Sequence, residues 1–385
     1  MPLILYSYLL SEMVAPFLAS LTILTAIMFL GRLLQIFDAV FTLGIGLVDF
    51  GRLSLYIIPK IMMFSLPLSA MFGVILCFSR LGSDNELLAL RAGGISPHRL
   101  VPPVIIFSLV ISLMAGYSSM NLMPQGLINL KRLMLKLAQD RVDRTIRPGS
   151  FSESLGGFVI YVDKIGNDGE WQSIYIFDNR KKENPVIVTA GSGRLSADYE
   201  KVELALHLDR GAITVGNQER MQHIDFERYS LSLPLPMSRG DATPSKHAER
   251  SQASLKEIIN RDGLTSKNGI WAFIEYQQRW SLTVGCFILT MLGLPFAARS
   301  APGRKQVAVP VGLALFLGYY ILISYSETLA EQVKSNLILI LWLPNIIYGG
   351  LALFNLSLMG RESSGRLEAL LAWPGQQLKR LKSAD

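Results

Sequence analysis

Six stretches of this 385-residue chain contain no charged residue, and each is 19 to 31 residues long. A helix needs roughly 20 predominantly apolar residues to cross the hydrocarbon core of a bilayer. Charged residues make up 17% of the chain, below the share of about a quarter in soluble domains. The sequence therefore predicts a polytopic membrane protein whose six spans are Met13–Gly31, Ile61–Ser79, Leu100–Leu130, Trp280–Ala298, Gln306–Ser326 and Ser335–Gly360.

Lysine and arginine are concentrated in alternate connections between these spans and in the C-terminal tail. The connection between spans two and three and the one between spans four and five contain Arg80, Arg91, Arg99, Arg299, Arg304 and Lys305, whereas the connection between spans five and six contains only Lys334. Positive charge favours the cytoplasmic side. We therefore expect both termini in the cytoplasm and the segment after span three outside it. The net charge of +7 then reflects topology and not nucleic-acid binding.

The segment after span three has a different hydrophobic period. In "KVELALHLD", residues 201–209, apolar and polar side chains alternate, which is typical of a strand with one buried face. Further short runs of this kind predict a jelly-roll-like all-β domain inserted between two sets of three transmembrane helices. The expected divisions are an N-terminal membrane half (1–130), the β-domain (131–250), a linker with a short helix (251–270), a C-terminal membrane half (271–360) and a tail (361–385).

Catalytic motifs are missing from the sequence. It contains no P-loop pattern, no His-Glu-x-x-His and no Gly-x-Ser-x-Gly, and its four histidines lack metal-ligand spacing. Both cysteines, Cys77 and Cys286, fall within predicted spans, so we expect no disulfide framework in the β-domain. These features predict a protein that is not an enzyme and that binds no cofactor or metal.

A short polar stretch, "SRLGSDNELLALRAGGISPHR", separates the second and third spans. Ser83 followed by Glu86 has the spacing of a capping box, and Gly93–Gly94 would end the helix. One interpretation is a helix that lies at the membrane interface. The other is a helix that docks on a cytoplasmic protein, with Glu86 pairing with a basic residue and its leucines filling a groove.

Motifs along nearly the whole chain resemble the LptF/LptG permeases of the lipopolysaccharide exporter. These are "LPLSAMFGVI" in span two, "NELLALRAGGIS" after it, "PGSF" and "FVIYVDKI" at the start of the β-domain, and "EYQQRWSLTVGCFILTMLGLPFA" in span four. The resemblance is greater to the LptF branch. It implies an inner-membrane permease subunit of an ATP-binding-cassette exporter, with its β-domain in the periplasm.

The resemblance also implies partners and site residues. The partners would be a cytoplasmic ATPase dimer (LptB-like) that uses ATP and Mg²⁺, a homologous permease (LptG-like), a single-span periplasmic β-jelly-roll protein (LptC-like) and lipopolysaccharide. Residues 82–94 would form a coupling helix on the ATPase. Its contact residues would be Glu86, Leu87, Leu90 and Arg91.

The resemblance assigns lipid contacts as well. Arg32 matches a basic position of the family at the end of the first span and would bind lipid phosphates. Lys60 is a second candidate for the phosphates, although LptF-like chains need not be basic at that site. The alternative for both is that they snorkel to the interface, as cations at span ends commonly do. An apolar slot for acyl chains would be formed by Val202, Leu204, Leu206, Leu208, Ile224 and Phe226. The sequence is equally compatible with a closed core there, because both arrangements need apolar inward faces.

Two further pairs of charged residues have helical spacing. Glu275 and Arg279, four residues apart, are expected to form a structural pair at the start of span four. Glu327 and Glu331 are expected in a solvated loop after span five.

An alternative function for the whole chain is a membrane-anchored periplasmic scaffold without transport activity. An ion-coupled transporter would need acidic residues within the spans, which the charge-free stretches lack.

Overall fold

The computed structural model describes most of the chain. The described residues are 2–43, 46–155, 158–166, 169–178, 186–198, 203–217, 220–233, 247–298, 308–333 and 336–359. Val202, which was predicted to line the acyl-chain slot, lies outside the described residues. So does the predicted tail, 361–385.

The described helices lie on both sides of a central β-region in the sequence. Those before it are α1 (Pro2–Leu43), α2 (Leu47–Ser83), α3 (Glu86–Ala92), α4 (Val101–Tyr117) and α5 (Met123–Thr145). Those after it are α6 (Gln252–Asp262), α7 (Lys267–Ala298), α8 (Ala308–Gln332) and α9 (Leu337–Leu358). A 3₁₀ turn, Pro97–Leu100, precedes α4, and a π-helical segment, Ser118–Leu122, joins α4 to α5.

Within the described residues, six helical segments are long and apolar enough to cross a membrane. They are Leu3–Leu34, Leu47–Ser83, Pro97–Asp140, Lys267–Ala298, Ala308–Gln332 and Leu337–Leu358. Each contains all or most of one predicted charge-free stretch. Three lie before the β-region and three after it, so the predicted arrangement of membrane helices is confirmed.

The β-region is one antiparallel sheet in which each described strand pairs with the next along the chain. Its strands are β1 (Ser150–Leu155), β2 (Phe158–Ile165), β3 (Trp171–Asp178), β4 (Val186–Asp198), β5 (Glu203–Asn217) and β6 (Arg220–Leu233). Short connections suffice because neighbouring antiparallel strands need only a turn between them. The prediction of an inserted β-domain is confirmed.

The N-terminal membrane half is predicted to end at residue 130 and the β-domain to begin at residue 131. Helix α5 instead continues for fifteen residues beyond 130, to Thr145. Its buried residues Leu135, Ala138 and Val142 recur every three or four positions, which is a helical period. The extracytoplasmic segment predicted from the sequence therefore begins with a helix, and its first strand begins at Ser150.

The chain divides into two compact units. One comprises Met1–Met28, Pro59–Pro124 and Arg250–Asp385, and the other comprises Phe29–Ile58 and Gln125–Glu249. The core of the second unit contains the inward face of the sheet and three residues from or just after α5: Ala138, Val142 and Ile146. Full burial of a valine or isoleucine side chain contributes about 1.5–3 kcal/mol, so α5 stabilises the sheet substantially.

The first unit contains a buried polar network that joins α7, α8 and α9. Asn345 donates through Nδ2 to the carbonyl (3.0 Å) and hydroxyl (2.8 Å) of Ser281, and it accepts from the Tyr319 hydroxyl at 2.7 Å. The exposed fractions of these three residues are 4%, 3% and 1%, respectively. Because water cannot reach them, the three helices must stay in register for these groups to remain hydrogen-bonded.

A proline in α2 is accommodated by a neighbouring helix. Pro67 has no N–H to donate to the carbonyl of Met63, four residues earlier. The Tyr320 hydroxyl of α8 donates to that carbonyl at 3.2 Å. Membrane helices tolerate proline when a neighbour satisfies the freed backbone group in this way.

Candidate functional site

Helix α3 is bounded by two residues with positive φ. Asn85 has φ +59° and precedes the helix, and Gly94 has φ +78° and follows it. At the C-terminal end, the Ile95 amide donates to the Leu90 carbonyl and the Gly94 amide to that of Arg91, which is the Schellman pattern. The predicted end of the helix at Gly93–Gly94 agrees with the structure.

The predicted capping box at the start of this helix is wrong. Ser83 belongs to the last turn of α2, and its hydroxyl donates to the Ser79 carbonyl at 2.8 Å. The N-cap residue of α3 is Asn85, whose side chain makes no capping hydrogen bond. Because α2 continues through Ser83, that hydroxyl is occupied within its own helix and the predicted helix 82–94 is shortened to 86–92.

Polar contacts connect α3 and the end of α2 to the first turns of α1. The Tyr8 hydroxyl donates to Glu86 Oε2 at 2.8 Å. Arg80 forms an ion pair with Glu12 through Nη1 and lies 3.6 Å from Asp84 through Nε. Tyr8 and Glu12 were not predicted as site residues. The sequence signal that could have pointed to a shared contact is that they are four residues apart, each directly before an apolar residue, Leu9 or Met13.

The leucines of α3 face in different directions. Leu87 is 7% exposed and packs in a core with Leu9 and Met13 of α1, and Leu90 packs partly against the same core. Leu87 is therefore covered by its own chain, whereas Leu90 stays partly exposed, and a contact of these two leucines with a partner stays a prediction. The exposed leucine is Leu88, at 65%, and Arg91 is exposed as well.

The two predicted phosphate-binding cations lie on separate units. Arg32 is in α1 within the second unit, and Lys60 is in α2 within the first. Both side chains are half-buried, and each interacts with neighbouring groups. Their role in binding lipid stays a prediction.

The described residues that were predicted to line the acyl-chain slot lie on one face of the sheet. Leu204, Leu206 and Leu208 of β5 are at most 1% exposed. On β6, Phe226 pairs with Gly211 and is half-buried, whereas Ile224 pairs with Ile213 and is 53% exposed. This face is thus a packed apolar core over β5 and becomes accessible towards the edge strand β6.

In the middle part of α7, near the start of the predicted fourth span, Arg279 is fully buried. Its Nε donates to Glu275 Oε1 at 3.0 Å, and its Nη1 donates to the carbonyl of Arg250 at 2.9 Å.

The expectation that Glu327 lies in a solvated loop is wrong. Glu327 lies in α8, is half-buried and accepts a hydrogen bond from Gln278 of α7. Helix α8 continues through the region predicted as a loop, so Glu327 faces a neighbouring helix.

Comparison with known proteins places this arrangement in a family. The model of the lipopolysaccharide export system permease family LptF/LptG matches residues 7–358. The lipopolysaccharide export system permease protein LptF of Escherichia coli K12 is 20% identical over 362 residues, covering 91% of this chain and 94% of that protein. Uncharacterized protein RP871 of Rickettsia prowazekii is 25% identical over 284 residues, covering 73% of this chain and 77% of that protein.

The greater resemblance to LptF than to LptG stays a prediction. The family match itself runs from the first turns of α1 to the last residue of α9 and includes the inserted sheet. Both membrane halves and the β-domain therefore correspond to the family as a whole, and the chain belongs to the lipopolysaccharide export system permease family LptF/LptG.

Proposed function

We propose that this chain is the permease subunit of an ATP-driven exporter that extracts lipopolysaccharide from the inner membrane and passes it to a periplasmic β-jelly-roll bridge. The observation that carries the proposal is the exposed surface of α3, between the second and third spans, on a chain of the LptF/LptG family. Both termini and α3 would be cytoplasmic and the sheet periplasmic, as the distribution of basic residues predicts.

A separate ATPase would supply the energy. The exposed residues of α3 are Leu88, Ala89, Arg91 and Ala92, with the half-buried Glu86 beside them. An apolar anchor flanked by charges suits a groove on a soluble partner. That partner, a cytoplasmic ATPase dimer, would bind ATP and Mg²⁺, and this chain would convert the movement of the dimer into movement of its spans.

The membrane face of the chain leaves room for a second permease and for lipid. Only 17% of the most apolar 18-residue stretch of the first span is buried inside the chain. Leu18, Ile23 and Ile27 of this span are exposed. A homologous permease would cover part of this surface and lipid the remainder. Arg32 and Lys60 would bind the phosphate groups of the lipid through charge-assisted hydrogen bonds.

The apolar face of the sheet would take the acyl chains. Leu204, Leu206 and Leu208 are packed in the free chain, so a slot for acyl chains must begin at the accessible edge near Ile224 and Phe226. From that edge the chains would pass to a single-span periplasmic protein of the β-jelly-roll type.

The first test is copurification of an ATPase from native membranes with wild type, Leu88→Glu and the matched control Leu264→Glu. Leu264 is also an exposed leucine outside the spans, at 43%. We expect wild type and Leu264→Glu to retain the ATPase and Leu88→Glu to lose it, because a buried unpaired carboxylate opposes docking. The retained complex should then release lipopolysaccharide from proteoliposomes only when ATP is added.

Two results would contradict the proposal. If wild type retains no ATPase, the exporter function fails and a membrane-anchored scaffold replaces it. If Leu88→Glu and Leu264→Glu behave alike, α3 is not the docking surface.

A further inference from the structure

We infer that Tyr8 is a positioning residue for α3: its hydroxyl orients the Glu86 carboxylate and makes the first turns of α1 and the docking helix move together. The inference rests on the proposed function, because it assumes that α3 receives force from a partner. It assigns a part in energy coupling to the N-terminal end of α1, which is 78 residues from Glu86 in the sequence.

Helix α3 cannot fix its own orientation. It has seven residues, and isolated helices shorter than about 12 residues are marginal in water. Its position must therefore be determined by tertiary contacts. Those contacts are the burial of Leu87 in the core, the packing of the partly buried Leu90 against that core, and the hydrogen bond from Tyr8 to Glu86.

Two adjacent stripes of α1 supply the two kinds of contact. Leu9 and Met13 are fully buried in the core that contains Leu87. Tyr8 and Glu12 precede these two residues by one position each, and they contact Glu86 and Arg80. Residues four apart lie on one side of a helix. A displacement of α3 must therefore either move the start of α1 or break these contacts.

The geometry at Glu86 also decides how a partner can bind it. The Tyr8 hydroxyl occupies Oε2, and within the described part of the chain Oε1 accepts no hydrogen bond. A hydrogen bond to an ionised carboxylate is stronger than one between neutral groups. Tyr8 thus holds the carboxylate in one orientation and leaves Oε1 for a cation of the partner.

The test substitutes phenylalanine for tyrosine at two nearby positions of α1 in the full chain, purified with its copurifying ATPase. Tyr8→Phe removes the hydroxyl and keeps the ring. The matched control is Tyr6→Phe, because the described residues include no hydrogen-bond partner of the Tyr6 side chain. Three quantities are measured: ATPase retained, lipopolysaccharide released per ATP hydrolysed in proteoliposomes, and hydrogen exchange of the α3 amides.

We expect Tyr8→Phe to retain the ATPase and its thermal stability, because Tyr8 is 38% exposed and its ring remains. Lipid released per ATP should fall about tenfold, which corresponds to the lower end of the cost of losing one hydrogen bond to a charged group. Exchange of the α3 amides should become faster. Tyr6→Phe should change none of these quantities.

The same substitution made in a Glu86→Gln variant tests whether Tyr8 acts through the Glu86 carboxylate or through another group. In a Glu86→Gln chain, Tyr8→Phe should have little further effect, because the charge-assisted contact is already lost. If Tyr8→Phe matches Tyr6→Phe, or if its effect is the same in both backgrounds, the inference is overturned. Failure of wild type to retain an ATPase would instead overturn the proposed function.

Discussion

The polar contacts around α3 differ in kind from those among α7, α8 and α9. Around α3 they involve charged groups at the surface, and the side chain of Arg80 is 62% exposed. Among the three C-terminal helices, the network of Ser281, Tyr319 and Asn345 joins neutral groups that are almost fully buried. Exposed ion pairs contribute little to stability and rearrange easily, whereas a buried group that loses its partner is costly. The first region is therefore suited to move and the second to keep its arrangement.

Close packing reinforces the rigidity of the C-terminal helices. A Cβ atom on Gly285 would lie 1.7 Å from the Tyr319 hydroxyl, so only glycine allows this approach of α8 to α7. Because Tyr319 also donates to Asn345 and is 1% exposed, it has no free space into which to move. Packing and hydrogen bonding thus select the same helix arrangement.

The largest effect should follow from removing Arg279, the buried cation of α7. Arg279→Leu leaves Glu275 without its partner and the Arg250 carbonyl without this donor, so we expect a loss of about 3–5 kcal/mol. Thermal unfolding in detergent is the measurement. The control is Arg261→Leu, because Arg261 is 72% exposed beside Asp262 and should be nearly neutral. Equal melting temperatures for the two variants would contradict the contrast between buried and exposed pairs.

A smaller effect, with a specific rescue, should follow at the proline of α2. Tyr320→Phe keeps the ring contacts with Phe64 and Phe316 but leaves the Met63 carbonyl unsatisfied, at a cost of about 1–3 kcal/mol. Pro67→Ala restores a backbone N–H four residues after Met63. In the Pro67→Ala background, Tyr320→Phe should therefore destabilise much less in thermal unfolding. An undiminished loss there would show that the hydroxyl has another role.

The smallest effect on global stability should come from the end of α3. Gly94→Ala forces a residue with a side chain to adopt φ +78°, which costs about 1 kcal/mol. Gly93→Ala is the matched control, because Gly93 has φ −75° and room for a Cβ. We expect faster hydrogen exchange of the α3 amides in Gly94→Ala and an unchanged melting temperature for the whole chain. Equal exchange in the two variants would rule out a structural requirement for glycine at 94.

The elements were largely predictable because their patterns are local. Charge-free stretches of spanning length predicted six membrane helices, and alternation in "KVELALHLD" predicted a strand with one buried face; the structure contains both. The ends of elements were less predictable. Helix α5 continues past 130 and α8 includes Glu327, because charged residues at a helical period can pair or face solvent without ending a helix.

The site was predicted only in part. The position of a short helix between spans two and three, and its end at Gly94, followed from glycine and charge patterns. The pairing of Glu275 with Arg279 is compatible with their spacing, but the burial of Arg279 and its bond to Arg250 depend on a chain segment that returns from the β-domain. No local pattern contains that information.

The sequence by itself therefore determined which segments are apolar enough to cross a membrane, which segment forms the sheet and where α3 ends, since each depends on residues within a few turns. Only the tertiary structure decided that Leu87 faces its own core, that Leu88 faces outward and that Tyr8 holds Glu86. The physical reason is distance along the chain. An apolar period shows that a face will be buried, but the helix that buries it is chosen by packing between segments far apart in sequence.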